Sequence, residues 1–269
     1  MDTKYKKYFE INRETWNKKV SIHSKSEFYN VADFLKGKTS LNKYELEELG
    51  DVKGKTLLHL QCHFGQDTLS LSRLGAICTG IDLSSEGIKQ AKILNEQLGL
   101  DATFIESNLY DVPNNVDGKF DIVFASYGVI GWLPNLKAWG EIIAEKLKSG
   151  GVFYLIEFHP IVWMFDFLQT PPKLTYPYLQ SEVIYEEYKG TYTNNDADII
   201  SKEYGWNHGL GEVVSALSEA GLQIAFLHEF EKSPYNSFPE MDKTEDGMYV
   251  LKENQKLFPL LYSIRAIKN

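Results

Sequence analysis

Residues 56–65, Thr56-Leu-Leu-His-Leu-Gln-Cys-His-Phe-Gly65, and the short segment Gly80-Ile-Asp82 decide the fold of this chain. The first segment predicts a buried strand and a tight loop, because a parallel strand covered on both faces is an apolar run. The second predicts the end of another strand, with an acid at its tip. From Gln61 to Asp82 is 82 − 61 = 21 positions, close to the roughly 20 of a nucleoside-binding β-α-β unit. The spacing therefore predicts that Asp82 accepts the two ribose hydroxyls of a nucleoside.

Apolar runs alternate with helical periodicities along the rest of the chain, which is typical of a doubly wound α/β sheet. Each run is short enough for a strand and is separated from the next by a polar or amphipathic stretch. We expect strands near residues 56–61, 76–82, 102–106, 120–126, 151–156, 222–228 and 257–266.

Two amphipathic helices are predicted between these strands, over residues 88–98 and 136–147, from apolar side chains spaced three and four apart. The serine pair at 84–85 is expected to cap the first helix, and Gly99 is expected to end it. Residues 148–151, Lys-Ser-Gly-Gly, are expected to stop the second helix and to open the fifth strand.

The motif series resembles the class I S-adenosylmethionine-dependent methyltransferases over roughly residues 50–160. In that family's first motif an acid is followed by three glycines; here His59 stands at the acid, Gln61 and His63 at the first two glycines, and Gly65 at the third. The loop is similar to that of a bacterial subset with a Leu-Gln-Cys-His variant. The resemblance implies a Rossmann-like, mostly parallel seven-stranded sheet with an antiparallel last strand, and S-adenosyl-L-methionine as cofactor.

The same resemblance implies cofactor-binding positions. Asn108 takes the place of the acid that faces adenine, and residues 120–127 resemble the family's fourth strand, after which the chain approaches the sulfonium. The side chains of Gln61 and His63 must either turn away from the methionine part of the cofactor or contact it. The expected cofactor-binding residues are Gln61, His63, Gly65, Asp82, Leu83, Asn108, Leu109, Ser126 and Tyr127.

Structural interpretations remain open for several of these positions. Asp82 also suits a helix cap, and Asn108 suits an ordinary turn. His59 lies in the middle of a strand and is interpreted as a hydrogen-bonded core histidine. His59 and His63 are four residues apart, but a zinc pair at that spacing requires a helix, so no metal is implied.

Methyl transfer from a sulfonium depends mainly on aligning the acceptor with the methyl carbon. A general base is optional, and histidine is the side chain whose pKa suits that role near neutrality. His159 follows the fifth strand and His208 precedes the next helix, so both are expected at the ligand-binding edge. With Tyr127 they are the candidate catalytic residues, and core packing is the alternative for both histidines.

Two regions fall outside the alternation of strands and helices. Residues 1–50 are predicted to form a helical cap in front of a methyltransferase domain over 51–269, and residues 160–205 a substrate-lid insertion in that domain. Both regions are rich in aromatic residues, whose alternative role is plain packing. The expected substrate-contacting residues are His23, Tyr29, Trp132 and Trp206.

Composition narrows the class of protein. The chain has 269 residues, 43% of them hydrophobic, and a formal net charge of −9, which disfavours a nucleic-acid surface. No apolar segment approaches the length of a membrane span, and no signal peptide is evident, so a cytoplasmic protein is expected. In that compartment Cys62 and Cys78 are expected to be reduced thiols, and a disulfide between them is the alternative. The oligomeric state is left open.

Three functions are compatible with these features. A small-molecule methyltransferase accounts for the motif order, the acidic charge and both aromatic regions. An NAD(P)-dependent oxidoreductase would share Asp82, but its first turn requires Gly-x-Gly-x-x-Gly, whereas residues 61–66 contain one glycine. A non-catalytic, methyltransferase-like nucleoside-binding protein is the third possibility, because of the altered loop.

Overall fold

The computed structural model describes residues 3–166, 169, 172–179, 182–236, 238, 241–252 and 258–269. The helices are α1 (Thr3–His23), α2 (Val31–Leu35), α3 (Lys43–Leu49), α4 (Gln66–Arg73), α5 (Ser85–Leu98), α6 (Val112–Asn115), α7 (Leu136–Lys146) and α8 (Leu210–Glu219). The strands are β1 (Thr56–Leu60), β2 (Ile77–Asp82), β3 (Thr103–Glu106), β4 (Phe120–Ser126), β5 (Leu147–Phe158), β6 (Phe165–Asp166), β7 (Lys173–Leu174), β8 (Ile184–Lys189), β9 (Ile200–Gly205), β10 (Leu222–Phe230), β11 (Met241–Lys243), β12 (Tyr249–Leu251) and β13 (Leu261–Lys268).

A seven-stranded sheet in the order β10-β13-β5-β4-β1-β2-β3 forms the centre of the molecule. The pairs from β5 through β3 are parallel, whereas β13 runs antiparallel to both β5 and β10. The predicted doubly wound, mostly parallel sheet with an antiparallel last strand is confirmed. Its chain order reverses between β1 and β4, and the carboxyl ends of β1, β2, β3, β4 and β5 share one edge.

The strands are apolar because both faces of the sheet are covered. Along β1, Leu57 belongs to one hydrophobic cluster and Leu58 to the other, as expected where successive side chains point to opposite faces. Trp139 of α7 packs in the same cluster as Leu58, and Leu94 of α5 in the same cluster as Leu57. The helices therefore cover both faces, and the ligand-binding edge is left to the loops.

Helix α5 starts where the sequence predicts. The Ser84 hydroxyl accepts a hydrogen bond from the Gly87 N–H at 2.9 Å, and Gly99 ends the helix with φ of 60°. Such a cap satisfies one of the free N–H groups in the first turn. Because only Leu83 and Ser84 separate β2 from α5, Asp82 is held beside the helix N-terminus.

The fifth strand begins earlier than predicted. Residues 148–151 do not form a turn before β5; they form a bulge inside it, with Gly150 at φ of 73° and a shift in pairing between Phe120 and Ile122 of β4. A glycine in this conformation lets β5 carry extra residues relative to β4 without ending. The last strand, expected over 257–266, runs Leu261–Lys268, and residue 257 lies outside the described residues.

The two regions outside the sheet are ordered as separate units. Residues 1–50 contain α1, α2 and α3, and α1 packs against α5 and β9. The predicted insertion at 160–205 contains the hairpins β6–β7 and β8–β9. Residues 167, 168, 170, 171, 180 and 181 of that insertion lie outside the described residues.

Two further expectations concern membranes and disulfides. Within the described ranges, no helix has the length and apolar character needed to cross a membrane. Cys62 and Cys78 are both buried free thiols. Burial raises the pKa of both thiols, so the structure presents them as core residues in the thiol form.

His59 is a core residue, as the sequence indicates. It is 2% exposed, its Nδ1 lies 2.8 Å from the Thr68 hydroxyl, and its ring packs edge-on against Phe124. Burial lowers the pKa of His59 to about 3. The unfolded chain therefore binds a proton at this histidine below about pH 6.5 that the folded protein does not bind.

We expect the free energy of unfolding to fall as the pH falls from 6.5 towards 5, and His59→Asn to reduce that fall. Asparagine can retain the bond to Thr68 but cannot titrate. The fall should be smaller in the variant by about 2 kcal/mol at pH 5, because each pH unit below the unfolded pKa contributes about 1.4 kcal/mol per group. Urea unfolding at pH 7.5, 6.5, 5.5 and 5.0 measures it. Parallel curves for the two proteins would contradict this account.

Candidate functional site

The loop between β1 and α4 carries non-glycine residues in a backbone conformation that favours glycine. Gln61 has φ of 54° and His63 has φ of 51°, and Gly65 follows at 81°. A left-handed conformation costs an ordinary residue roughly 1–2 kcal/mol. The backbone thus follows a path suited to glycine, while two large polar side chains project from it.

Asp82 connects this loop to α5. Its Oδ2 accepts the His63 N–H at 2.8 Å, and its Oδ1 accepts the Ser84 N–H at 2.8 Å. The carboxyl group is half-buried, and burial raises its pKa to about 6 despite these hydrogen bonds. One carboxylate thereby fixes the relative position of the β1 loop and the N-terminus of α5.

Helix α1 reaches the same corner of the sheet. The Asn17 side-chain oxygen accepts hydrogen bonds from the Ser84 hydroxyl at 2.7 Å and from the Glu86 N–H at 3.2 Å. Sequence reasoning missed Asn17, because nothing in the N-terminal segment shows which helix end it will meet. Through this contact the N-terminal region is joined to the residues around Asp82.

An aromatic cluster surrounds the His63 ring; we call Trp16, His23, Tyr29, His63 and Tyr192 the His63 cluster. The centroid of the His63 ring lies 5.1 Å from that of Trp16, 5.2 Å from that of His23 and 5.4 Å from that of Tyr29. Tyr192, from the loop between β8 and β9, packs on His23 at 4.6 Å. The structure thus brings the predicted substrate residues His23 and Tyr29 against the predicted cofactor loop.

Trp132 extends this cluster from the loop after β4. Its ring lies 5.4 Å from Trp16, and its indole N–H donates to the Gly128 carbonyl at 2.7 Å. The third predicted substrate residue therefore also faces the N-terminal helix. Its half-buried indole forms one wall of the region between α1 and the sheet edge.

Hydrogen bonds join the His63 cluster into a chain. His23 Nδ1 lies 3.0 Å from His63 Nε2, and His23 Nε2 lies 3.2 Å from the Thr191 hydroxyl, while the hydroxyls of Tyr29 and Tyr192 bond to each other. His63 Nδ1 is buried and has no hydrogen-bond partner. Burial lowers the pKa of His23 to about 2 and that of His63 to about 3, so both rings are neutral near pH 7.

The loop after β4 is organised by a buried acid that sequence reasoning did not select as a site residue. The Glu157 carboxylate, 1% exposed, accepts N–H groups from Gly128, Val129 and Ile130. The Gln61 amide donates to the Val129 carbonyl at 2.9 Å, and its oxygen is buried without a partner. Glu157 on β5 therefore shapes a loop that the first loop also touches.

Ser126 and Tyr127 lie beside an acidic pair. The Ser126 hydroxyl donates to Asp67 at 3.0 Å, and the Tyr127 hydroxyl accepts from the Asn42 amide at 3.3 Å. Burial raises the pKa of Glu45 to about 7, with a further contribution from the charge of Asp67. Sequence reasoning missed this pair, because Asp67 follows the loop as an ordinary first-turn helix acid and Glu45 comes from the distant α3.

The remaining predicted cofactor residues line the edge less directly. Asn108 caps the short turn after β3 by accepting the Tyr110 N–H at 3.0 Å; Leu109 is buried, and Leu83 is half-buried. A Cβ built on Gly65 would lie 2.7 Å from the Phe104 ring. Gly65 therefore allows α4 to pack closely on the sheet, whatever its relation to a ligand.

His159 and His208 have both ring nitrogens in protein hydrogen bonds. His159 Nε2 contacts Glu229 at 2.9 Å and its Nδ1 accepts the Ile161 N–H, while His208 contacts the Leu133 carbonyl at 2.7 Å and Glu212 at 2.9 Å. Both side chains are buried. No described contact joins either ring to the His63 cluster; His159 links the start of the insertion to β10, and His208 links the segment after β9 to α8 and to the loop after β4.

Trp206 is likewise a packing residue in the described contacts. It is buried against the rings of Tyr5 and Tyr8 at about 6 Å, and its backbone N–H donates to the Gly131 carbonyl at 2.8 Å. In the part of the chain that the structure describes, no three His, Cys, Asp or Glu side chains are grouped so as to hold a metal ion.

Helix α1 and strand β9 are fastened together by side chains that pair with backbone. Asn12 exchanges two hydrogen bonds with the backbone of Tyr204, both at 2.8 Å, and Thr15 exchanges two with the backbone of Lys202. Lys19 forms a buried ion pair with Glu203. The N-terminal helix and the β8–β9 hairpin therefore form one continuous cover.

Comparison with known proteins agrees with this architecture. Residues 58–155 match the family model described as a methyltransferase domain. A methyltransferase of Synechocystis described as uncharacterised is 32% identical over 131 residues, and this match covers 48% of this chain and 59% of the relative. A ubiquinone biosynthesis O-methyltransferase of Vibrio campbellii is 31% identical over 80 residues, and this match covers 30% of this chain and 34% of the relative. Each of these matches spans less than two thirds of the relative.

The fold has solved counterparts. The structure of an S-adenosylmethionine-dependent methyltransferase from Clostridium acetobutylicum superposes with a TM-score of 0.58 over 94% of this chain and 99% of that chain, at 16% identity. That likeness concerns the fold, and the sequence matches concern the segment from β1 to β5. Residues 58–155 are therefore similar in sequence to a methyltransferase domain, as the motif series predicts, and the chain shares its fold with that solved structure.

Proposed function

We propose that this protein transfers a methyl group from S-adenosylmethionine to a small-molecule acceptor. The observation that carries the proposal is the position of Asp82 at the carboxyl end of β2, with each carboxylate oxygen accepting one backbone N–H. A carboxylate has about four acceptor positions, so two remain for a pair of ribose hydroxyls. The edge where the strand order reverses is also where open α/β sheets bind ligands.

Gln61 supports the same site. Its amide oxygen is buried without a hydrogen-bond donor, although its nitrogen is bonded to the loop after β4. An unpaired buried acceptor costs about 1–3 kcal/mol. A cationic ammonium group, such as that of the methionine part of the cofactor, would supply the missing donor. The cofactor roles of Leu83, Asn108 and Leu109 stay predictions.

The bound cofactor supplies an electrophilic methyl group on a positively charged sulfur. The protein must hold the acceptor in line with that methyl carbon and keep water away. The aromatic faces of Trp16 and Trp132 and the joined cover of α1 and the β8–β9 hairpin are suited to both tasks. We therefore propose that residues 1–50 act as a cap and residues 160–205 as a lid.

A small acceptor is also supported by charge and by the relatives. The formal net charge of −9 is unfavourable for binding phosphate backbones. One group of matching relatives is named for O-methylation in ubiquinone biosynthesis. We propose a catalytic role for neither His159 nor His208, because their ring nitrogens are already bonded within the protein; the role of Tyr127 stays a prediction.

A non-catalytic nucleoside-binding protein is the competing function, favoured by the large side chains at positions 61 and 63. Calorimetry with S-adenosylhomocysteine, followed by a metabolite screen with methyl-labelled S-adenosylmethionine, separates the two. Binding together with labelled product supports the methyltransferase, whereas binding without transfer supports the competitor. Binding of NAD(P) but not of S-adenosylhomocysteine would favour the oxidoreductase.

Asp82→Ala should weaken S-adenosylhomocysteine binding by roughly 10- to 150-fold, because it removes charge-assisted hydrogen bonds to the ribose, worth about 1.5–3 kcal/mol. Calorimetry measures the change, and circular dichroism checks the fold. Asp101→Ala, an exposed acid ahead of β3, is the matched control and should bind as the wild type does. Wild-type affinity in folded Asp82→Ala would show that the nucleoside lies elsewhere.

The double variant Gln61→Gly/His63→Gly should keep measurable S-adenosylhomocysteine binding. Residue 63 contributes its backbone N–H to Asp82, and glycine retains that group. Relief of two left-handed conformations, worth roughly 1–2 kcal/mol each, should offset much of the entropy that glycine adds to the unfolded chain. Calorimetry and urea unfolding report the two effects. Complete loss of binding in a folded variant would mean that these side chains are required cofactor contacts.

The cap can be tested by limited trypsin digestion. S-adenosylhomocysteine should slow cleavage within residues 15–45, because a ligand under α1 stabilises the closed cover. The exposed Lys119, in the turn before β4, is the internal control and should be cleaved equally with and without ligand. Equal rates within residues 15–45 would leave this segment as a packing element.

A further inference from the structure

His63 occupies a position that glycine would fill without strain, yet its side chain is held by several separate parts of the chain. Trp16 and His23 reach it from α1, and Tyr29 from the loop before α2. Its backbone N–H is bonded to Asp82. Strained backbone is typical of functional positions. The side chain of His63, which a glycine at this position would lack, is therefore a candidate for a function of its own.

The two histidines lie in one hydrogen-bond chain, and the tautomer of each ring sets its direction. A neutral imidazole has one donor nitrogen and one acceptor nitrogen. If His23 Nε2 donates to the Thr191 hydroxyl, then His23 Nδ1 accepts from His63 Nε2, and His63 Nδ1 is left as a free acceptor. That nitrogen is buried and has no partner in the protein.

We propose that His63, positioned by His23, accepts the proton of a hydroxyl acceptor during methyl transfer. This inference rests on the proposed methyltransferase function and assigns its acceptor to hydroxyl compounds, with an aromatic ring favoured by the indoles and phenols around the site. A hydroxyl must lose its proton for a stable ether to form, whereas a thiol already ionises near neutral pH.

In this step one bond to the methyl carbon forms as another breaks, and the hydroxyl proton moves to His63. A hydroxyl oxygen lone pair forms the new bond to the methyl carbon while the carbon–sulfur bond breaks and its electron pair stays on sulfur. The hydroxyl proton passes to His63 Nδ1, and the resulting cation donates from Nε2 to His23 Nδ1, 3.0 Å away. The proton leaves to water when the product departs. A weak base is sufficient, because the hydroxyl becomes strongly acidic as the oxygen acquires its methyl group.

The surroundings of His63 are consistent with a neutral resting base. Burial lowers the pKa of His63 to about 3 with a further contribution from the charge of Lys19, and the phenols of Tyr29 and Tyr192 carry no charge near pH 7. Asp82 faces only the His63 backbone in the hydrogen bonds described. The base is therefore unprotonated at neutral pH, and its protonation should reduce the rate only on the acidic side.

The experiment uses the full chain with labelled S-adenosylmethionine and matched acceptors: phenol and 1-naphthol, with thiophenol and aniline differing from phenol only in the acceptor atom. We expect transfer to a hydroxyl probe. His63→Gln should lower kcat by roughly 100-fold or more, within the usual range for a general base, and His23→Phe by about tenfold. His63→Gly, which relieves the strained φ, guards against loss through misfolding. His228→Gln, on the exposed face of β10, is the control.

Two readouts separate a chemical role from a structural one. S-adenosylhomocysteine affinity should stay within about threefold of wild type in His63→Gln, because the backbone N–H is retained. At saturating methyl donor, kcat should fall in His63→Gln while the KM for the hydroxyl acceptor stays within about threefold of wild type, because the lost group acts in the chemical step.

Each failure has a separate meaning. No binding of S-adenosylhomocysteine by the wild type would overturn the proposed function itself. Binding together with transfer only to thiophenol or aniline, or with transfer to none of the four probes, would overturn the hydroxyl assignment. Transfer to phenol or 1-naphthol that His63→Gln leaves unchanged would overturn the role of His63.

Discussion

The carboxylate of Asp82 holds two pieces of backbone that the sheet alone would not align. One oxygen accepts an N–H from the loop after β1, and the other accepts an N–H at the entry to α5. Because the group is half-buried, these bonds are stronger than they would be in water. The position of His63, the entry into α5 and the contact of Asn17 with Ser84 all follow from this connection.

The N-terminal helix contacts that corner through Asn17 and the insertion through Asn12, Thr15 and Lys19. Asn12 and Thr15 pair with the backbone of β9, and Lys19 is buried in an ion pair with Glu203. Breaking one partner of a buried pair leaves an uncompensated charge, which is strongly destabilising. The N-terminal helix and the β8–β9 hairpin are therefore coupled, and a ligand beneath them would act on both.

Polar groups inside the site are neutral or bonded. His23 and His63 share a hydrogen bond as neutral rings, the Glu157 carboxyl group accepts four backbone N–H groups, and Glu45 has a pKa raised to about 7. Desolvation is the common cause. A region with little fixed charge and many aromatic faces is suited to an uncharged acceptor. In such a region the hydrogen bonds that Asp82 accepts are also stronger than they would be in water.

The sequence by itself determined the succession of strands and helices along the chain, because local signals carry it: apolar runs for buried strands, Ser84 and Gly99 for the bounds of α5, and the spacing from the loop to Asp82. The bulge within β5 escaped prediction, since a Gly-Gly pair suits a turn equally well. Only the tertiary structure decided that His63 meets His23, that Asp67 lies beside Glu45, and that His159 and His208 are bonded elsewhere. Those contacts join residues far apart in sequence, and they depend on how separate elements pack, which no local pattern of residues records.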